Sequence, residues 1–139
     1  MLVIVPHMRV SEASVYLGVS DDTVRRWIDR GLLGSSTDAS GRKVVDGYEV
    51  AMVAREHATV PALPGGMKSS ARNRFVGLVT DLQVDTVMAQ VELQCGPFRV
   101  VSLMSSEAVR DLGLERGSVA VAVIKSTTVV IEAEDRGDA

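Results

Sequence analysis

Ser69-Ser70-Ala71-Arg72-Asn73 decides how the rest of the chain is read. It stands between a stretch marked by Pro61, Pro64, Gly65 and Gly66 and a strand-rich half, and it sets small hydroxyls beside one guanidinium. Such groups are hydrogen-bond donors, which is what an anion needs. A second donor cluster, Lys125-Ser126-Thr127-Thr128, lies where one apolar run (119–124) ends and another (129–131) begins. Between the clusters, strand signals follow one another over 73–84, 87–94, 98–104 and 118–124, with a last one over 128–132. The clearest is Val87-Met88-Ala89-Gln90-Val91-Glu92-Leu93, where every second residue is apolar, as a half-buried strand requires. A short helix over 106–112, capped by Ser105 or Ser106 and ending near Gly113, interrupts the strands. Five short strands and one helix predict a small OB-like β-barrel over 69–133.

Ser-Ala-Arg-Asn at 70–73, the following Phe75-Val76-Gly77-Leu78-Val79, the Leu112-Gly113-Leu114 step and Val123-Ile124-Lys125-Ser126-Thr127 together resemble the TOBE or Mop domain of molybdate- and tungstate-binding proteins. The resemblance implies molybdate or tungstate as ligand. It carries oxyanion contacts onto Ser70 and Arg72, onto Lys125 and Ser126, and onto Ser105 at the start of the short helix, the last supplied by a neighbouring subunit at a helix N-terminus that favours anions. A tetrahedral dianion of this kind offers only acceptors at neutral pH, so a pocket made only of donors suits it, whereas partly protonated phosphate would want an acceptor too. The family's Thr-x-x-Ser at that helix stands here as Ser105-Ser106-Glu107-Ala108, with Ala108 in place of the second hydroxyl. The resemblance further implies a homo-oligomer held through this domain, a dimer or higher, such as the hexamers formed by single Mop domains. In the plainer reading of the same residues, Ser69 and Ser70 belong to the linker, Ser105 is an ordinary cap and Lys125 is a surface charge at a strand end.

Upstream, Val10, Ala13 and Leu17 recur at helical spacing with Ser11 as a cap, so a short helix is predicted over 10–17. Gly18 supplies a turn, Ser20 caps a second helix over 21–30, and Gly31 stops it. On that helix Val24, Trp27, Ile28 and Gly31 share one face, while Thr23, Arg26 and Arg30 form a polar stripe suited to the major groove. Gly41-Arg42-Lys43-Val44-Val45 reads as a turn with a short basic strand, and Asp46-Gly47 opens a third helix through Tyr48, Val50, Ala51 and Val53. Val10-Ser11-Glu12-Ala13, Leu17-Gly18-Val19-Ser20, Thr23-Val24-Arg25-Arg26-Trp27 and the Gly-Arg-Lys turn resemble the winged helix-turn-helix of the MerR and excisionase families, over an expected domain of 8–57. By that resemblance the DNA contacts are Thr23, Arg25, Arg26, Arg30, Arg42 and Lys43. The alternative is a solvated face whose arginines pair with Asp22, Asp29 and Glu12. Trp27 is core on either reading. A long dimerising coiled coil, as in MerR activators, is missing: the prolines and glycines of the 58–68 linker arrive too soon, so association has to come from elsewhere.

Composition bounds the rest. The chain has 139 residues, 46% of them hydrophobic but only 4% aromatic, so two small cores of Val, Leu, Ala and Met are expected. The net charge of −3 is spread over both halves, with seven Lys/Arg against eight Asp/Glu in residues 1–57 and eight against ten in 58–139. Neither half is a basic body, so nucleic-acid binding must come from local patches. One cysteine, Cys95, allows no internal disulfide, and with only His7 and His57 beside it neither a zinc cluster nor a Cys-His or Ser-His-Asp constellation can be assembled. No metal site, no enzyme and no membrane span are expected, and the thiol suits a reducing cytoplasm. Residues 1–7 are read as a terminal arm without a function. The expectation is an α+β chain: a winged helix-turn-helix followed by an OB-like TOBE/Mop barrel, acting as a cytoplasmic DNA-binding regulator that senses molybdate or tungstate. Two other readings stay open: a molbindin-type binding or storage protein, and an architectural DNA binder whose barrel oligomerises without ligand.

Overall fold

In a computed structural model, which describes residues 6–58, 61 and 68–135, the chain falls into two units, Met1–Thr59 and Val60–Ala139. Most of the expected 58–68 linker lies outside the described residues.

The first unit packs three helices on a small sheet. Helix α1 (Val10–Leu17) buries Val10 and Ala13 and ends at Gly18, whose φ of 68° is the left-handed cap that a glycine takes without strain. In α2 (Asp21–Asp29) the Ser20 hydroxyl accepts the Thr23 N–H at 3.2 Å, and Val24 is fully buried beside Leu33 and Val45. Arg30 is the C-terminal cap of α2 rather than part of it. The strands β1 (His7–Arg9), β2 (Ser36–Thr37) and β3 (Lys43–Asp46) make an antiparallel sheet in the order β1-β3-β2. Strand β1 was not expected. A three-residue strand with only Met8 turned inward gives too short an alternation to read, and what forms it is pairing, with Met8 opposite Val45. Helix α3 (Gly47–His57) starts where the Asp46 carboxylate accepts the N–H groups of Tyr48 and Glu49 at 2.7 and 3.2 Å, and it buries Val50 and Val53.

The second unit is an antiparallel sheet of β4 (Asn73–Val84), β5 (Met88–Cys95), β6 (Phe98–Ser105) and β7 (Val119–Ile124), in the order β6-β5-β4-β7, with α4 (Ser106–Leu112) packed on it. The alternation in β5 is realised: Ala89, Val91, Leu93 and Cys95 are buried, while Met88, Gln90, Glu92 and Gln94 point away from the core. Strand β4 pairs with β7 through its first half and with β5 through its second, with a bulge between Val79 and Asp81. The sheet curls there, so tightly that a Cβ on Gly77 would sit 2.5 Å from the Gln94 carbonyl oxygen. The result is a half-barrel, and the whole chain is mixed α+β.

The expected fifth strand over 128–132 is not formed. The Lys125 carbonyl accepts both the N–H and the hydroxyl of Thr128, at 3.0 and 2.8 Å, closing a short 3-10 turn over Ser126–Thr128 that diverts the chain. Val130 and Ile131 are then 83% and 84% exposed. Their branched side chains carry strand propensity, but propensity describes a fit to a pleated surface and does not supply one. The sheet also has an apolar outer face. Because Val79, Ala120 and Ala122 face the core, the alternate residues Val76, Leu78, Val119, Val121 and Val123 stand together on the other side.

Candidate functional site

Two distant stretches of sequence meet at one end of the half-barrel. Asn73 is paired with Ile124 across β4 and β7, and its amide Nδ2 donates to the Ile124 carbonyl at 3.2 Å. The residue before Asn73 therefore lies beside the residue after Ile124, which brings Arg72 and Lys125 together. Ser70 and Ser126 flank them, and all four side chains are exposed. The Ser69 hydroxyl accepts the Ala71 N–H at 3.1 Å, and Ala71 is buried, so the approach to β4 is a fixed turn. Neither Arg72 nor Lys125 has a carboxylate partner among the described residues, where the four ion pairs are Arg25–Asp22, Arg42–Asp38, Arg99–Glu92 and Arg116–Asp81. The register thus sets a guanidinium and an ammonium near each other, with two hydroxyls close by in sequence, and none of the four side chains has a hydrogen bond or ion pair among the described residues.

Ser105 is not part of this cluster. It pairs with Met88 at the opposite end of the sheet, next to the Val84 end of β4. The eleven steps along β4 from Asn73 to Val84 span on the order of 30 Å, so one chain does not bring Ser105 to Arg72. The Ser105 oxygen caps α4 by accepting the Ala108 N–H at 3.1 Å, which leaves its own proton free to donate. Ser106 is structural: it is buried and donates to the Thr86 carbonyl at 2.9 Å.

In the first unit, the six residues expected to contact DNA lie on α2, at its C-terminal cap and on the β2–β3 wing, in different states. Thr23 and Arg26 are bonded to each other, with an Arg26 guanidinium nitrogen donating to the Thr23 hydroxyl at 3.0 Å. Arg25 lies 3.7 Å from Asp22. At the wing tip the Asp38 carboxylate accepts the N–H groups of Arg42 and Ser40, both at 2.9 Å, and sits 3.6 Å from the Arg42 Nε. These contacts, the Arg42 N–H foremost, hold the Asp38 pKa below its ordinary value. Arg30 and Lys43 are exposed and have no such partner among the described residues. A shallow depression of about 450 Å³, lined by residues including Met8, Arg9, Glu12 and Thr37, opens beside β1 and the wing, and none of the anion candidates lines it.

One contact was missed in the sequence. Trp27 is half-buried as core, yet it also stacks on His57, the last residue of α3, with ring centroids 4.9 Å apart. The His57 Nδ1–H donates to the Val53 carbonyl at 3.0 Å, which fixes the ring. The signal would have been a histidine one helical turn beyond Val53, on the same face.

The described residues contain no group of three or more metal-ligating side chains, and no described helix is long and apolar enough to cross a membrane. The TOBE domain model matches residues 69–131, and a helix-turn-helix domain model matches residues 8–51. The second match carries the helix-turn-helix, without the narrower likeness to MerR proteins. The chain is 37% identical over 84 residues to the molybdenum transport protein ModE of Herbaspirillum seropedicae, covering 56% of this chain and 31% of that protein. It thus spans about a third of the length of that relative. Among solved structures, MopII from Clostridium pasteurianum is 39% identical over 48% of this chain and all of its own, with a TM-score of 0.45. Molybdenum-pterin-binding protein 1 of Clostridium pasteurianum is 40% identical over 66 residues, which are 47% of this chain and 97% of that protein. With nearly the whole of that relative contained in its second half, the chain belongs to the molybdenum-pterin-binding family of TOBE-domain proteins.

Proposed function

We propose that this chain is a cytoplasmic DNA-binding regulator, not an enzyme, that senses molybdate or tungstate. The observation that carries the reading is the joining, in one chain, of a helix-turn-helix match over 8–51 to a TOBE match over 69–131. Its relatives are named as molybdenum-pterin-binding and molybdenum transport proteins, and the pairing of Asn73 with Ile124, which sets Arg72 beside Lys125, supports the reading. Ser70, Arg72, Lys125 and Ser126 of one subunit and Ser105 of another form the oxyanion site. Separation of Ser105 from Arg72 within a chain supports a site that only an oligomer completes, and the apolar face of Val76, Leu78, Val119, Val121 and Val123 supports association through the half-barrel. The helix-turn-helix reads DNA through α2, with Thr23, Arg25, Arg26 and Arg30, and through the wing, with Arg42 and Lys43.

Titration calorimetry with molybdate, tungstate, sulfate and phosphate, run beside DNA-binding isotherms with and without saturating oxyanion, tests the reading. Molybdate and tungstate are expected to bind more tightly than the other two, and Arg72→Ala or Lys125→Ala to abolish the heat, since each removes a charge-assisted donor. Equal heats for all four anions would mean unspecific surface charge. A second reading is favoured by the full coverage of the small pterin-binding relatives: a binding or storage module fused to a DNA-binding domain. An unchanged DNA isotherm despite anion binding would select it.

A further inference from the structure

We propose that Arg26 is the side chain of α2 that reads a base, that the base is guanine, and that Thr23 positions Arg26 for it. The proposal rests on the DNA reading given above and goes further, because the cations of α2 and the wing are not equivalent in the structure.

Arg25 is two residues on from Thr23, about 200° around the helix, and it leans on Asp22 at 3.7 Å. Arg42 is tied to Asp38 at the wing tip. Arg30 and Lys43 are exposed and unattached among the described residues, as befits mobile phosphate contacts. Arg26 alone is built in. Its guanidinium donates to the Thr23 hydroxyl at 3.0 Å, that hydroxyl lies 3.0 Å from the Ser20 hydroxyl, and the Ser20 oxygen accepts the Thr23 N–H at 3.2 Å. A three-member polar chain thus runs from the helix cap to Arg26 and restricts the side chain that has most rotamer freedom to lose on binding.

One of the five guanidinium N–H donors is spent on Thr23, which leaves a fork for a pair of acceptors. In the major groove the base edge presenting two adjacent acceptors is guanine O6 and N7. The neighbours of Arg26 argue against a phosphate role. Asp22 and Asp29 are four residues before it and three after it, on its side of the helix, and α2 carries Asp21, Asp22 and Asp29 against Arg25 and Arg26. With Arg30 one turn further on, that side carries two carboxylates against two cations, a poor seat for a phosphate backbone that still tolerates an arginine reaching a base.

The test uses the full chain. A duplex is selected from a random double-stranded DNA library, and its affinity is measured with each base pair replaced in turn and each guanine exchanged for 7-deazaguanine, which lacks N7. One guanine is expected to stand out, with its replacement by adenine costing the parent about 5- to 150-fold and its deaza form weakening binding in the same direction. Arg26→Ala is expected to be indifferent to both changes at that position while keeping its thermal midpoint. Thr23→Val should shrink the discrimination with Arg26 still in place, and Thr23→Ser should restore it. Arg30→Ala and Lys43→Ala should weaken all duplexes alike and lower the salt dependence. The assignment is overturned if Arg26→Ala keeps the 7-deazaguanine sensitivity, if it weakens selected and scrambled duplexes equally, or if the selected site lacks guanine. Failure of the full chain to retain any DNA overturns the DNA reading itself, whereas selective binding indifferent to Arg26 overturns only this inference.

Discussion

Gly77→Ala is the most incisive perturbation of the half-barrel, because its cost is set by backbone that cannot step aside. The φ of Gly77 is not among the positive ones, so alanine suffers no conformational strain there and any penalty is steric. The added Cβ would stand 2.5 Å from the Gln94 carbonyl oxygen, 2.6 Å from the Cys95 Sγ and 2.9 Å from the Gln94 carbonyl carbon. The thiol can rotate, but the Gln94 peptide is held in the β5 ladder, where Gln94 pairs with Leu78 on one side and Arg99 on the other. Overpacking of a dense interior costs about 1–3 kcal/mol, and with two of three clashes on backbone the upper end, about 3 kcal/mol, is expected. For a unit of this size that is a fall of roughly 12–24 °C in midpoint. Circular dichroism of the sheet would record it. The single tryptophan, Trp27, lies in the first unit, and its fluorescence should unfold at an unchanged temperature. Cys95→Ala added to Gly77→Ala should recover little, since the carbonyl remains. A single variant within about 3 °C of the parent would show that the sheet does not curl at Gly77, and a double variant fully restored would show that the thiol was the whole obstacle.

Further outcomes follow from particular contacts. The N–H groups of Met88 and Val87 donate to the Asp85 carboxylate at 2.7 and 2.8 Å and hold its pKa below the ordinary 3.8. A lowered folded-state value means stability that is fully present above pH 3.8 and is lost as pH falls through the folded value below it. Asp85→Ala should accordingly flatten the acid limb of a urea-midpoint-against-pH curve below that point and leave its slope near neutrality unchanged. His57→Ala should remove the stack on Trp27 and cost about 0.5–1.5 kcal/mol, read as a lower midpoint and an altered emission of the one tryptophan; an unaltered emission would mean the rings do not stack in solution.

How much of this the sequence disclosed depended on whether the deciding interaction was local. Strand β5 was legible because alternation is a property of seven consecutive residues and the core simply accepts it. The caps at Ser20 and Ser105 were equally local, each oxygen meeting the N–H three residues on, whereas the cap expected at Ser11 stands two residues earlier at Arg9. Strand β1 and the missing strand after Thr128 fail in opposite directions for one reason: a strand exists where a partner edge is present, which neither Met8 nor Val129-Val130-Ile131 can announce. The nearness of Arg72 and Lys125 in the sheet likewise comes from the register of Asn73 with Ile124 across 51 residues of sequence, a pairing that no local pattern announces. The six expected DNA contacts looked alike as residue types. What separates Arg25, Arg26 and Arg42 is which neighbour each side chain bonds, Asp22, Thr23 or Asp38, and that choice is made at the level of rotamers.

The placement of Ser105 bears directly on how ligand and DNA would communicate. If the anion needs Arg72 and Lys125 of one chain and Ser105 of another, its affinity contains the free energy of bringing two chains together, and ligand stabilises the assembly by mass action. DNA bound by paired reading heads favours the same assembly, since a second head on an already tethered chain engages at high effective concentration. Both ligands then bias one equilibrium, and neither has to send a structural signal through residues 58–68. Thermodynamic reciprocity follows: whatever factor the oxyanion applies to DNA affinity, operator DNA applies to oxyanion affinity, in regulatory systems typically about 1–3 kcal/mol. The coupling should be strongest at chain concentrations near the assembly midpoint and vanish well above it, where every site is already complete. A mechanism of linker-borne conformational change has no such concentration dependence, and that difference, rooted in the far end of β4, is what distinguishes the two.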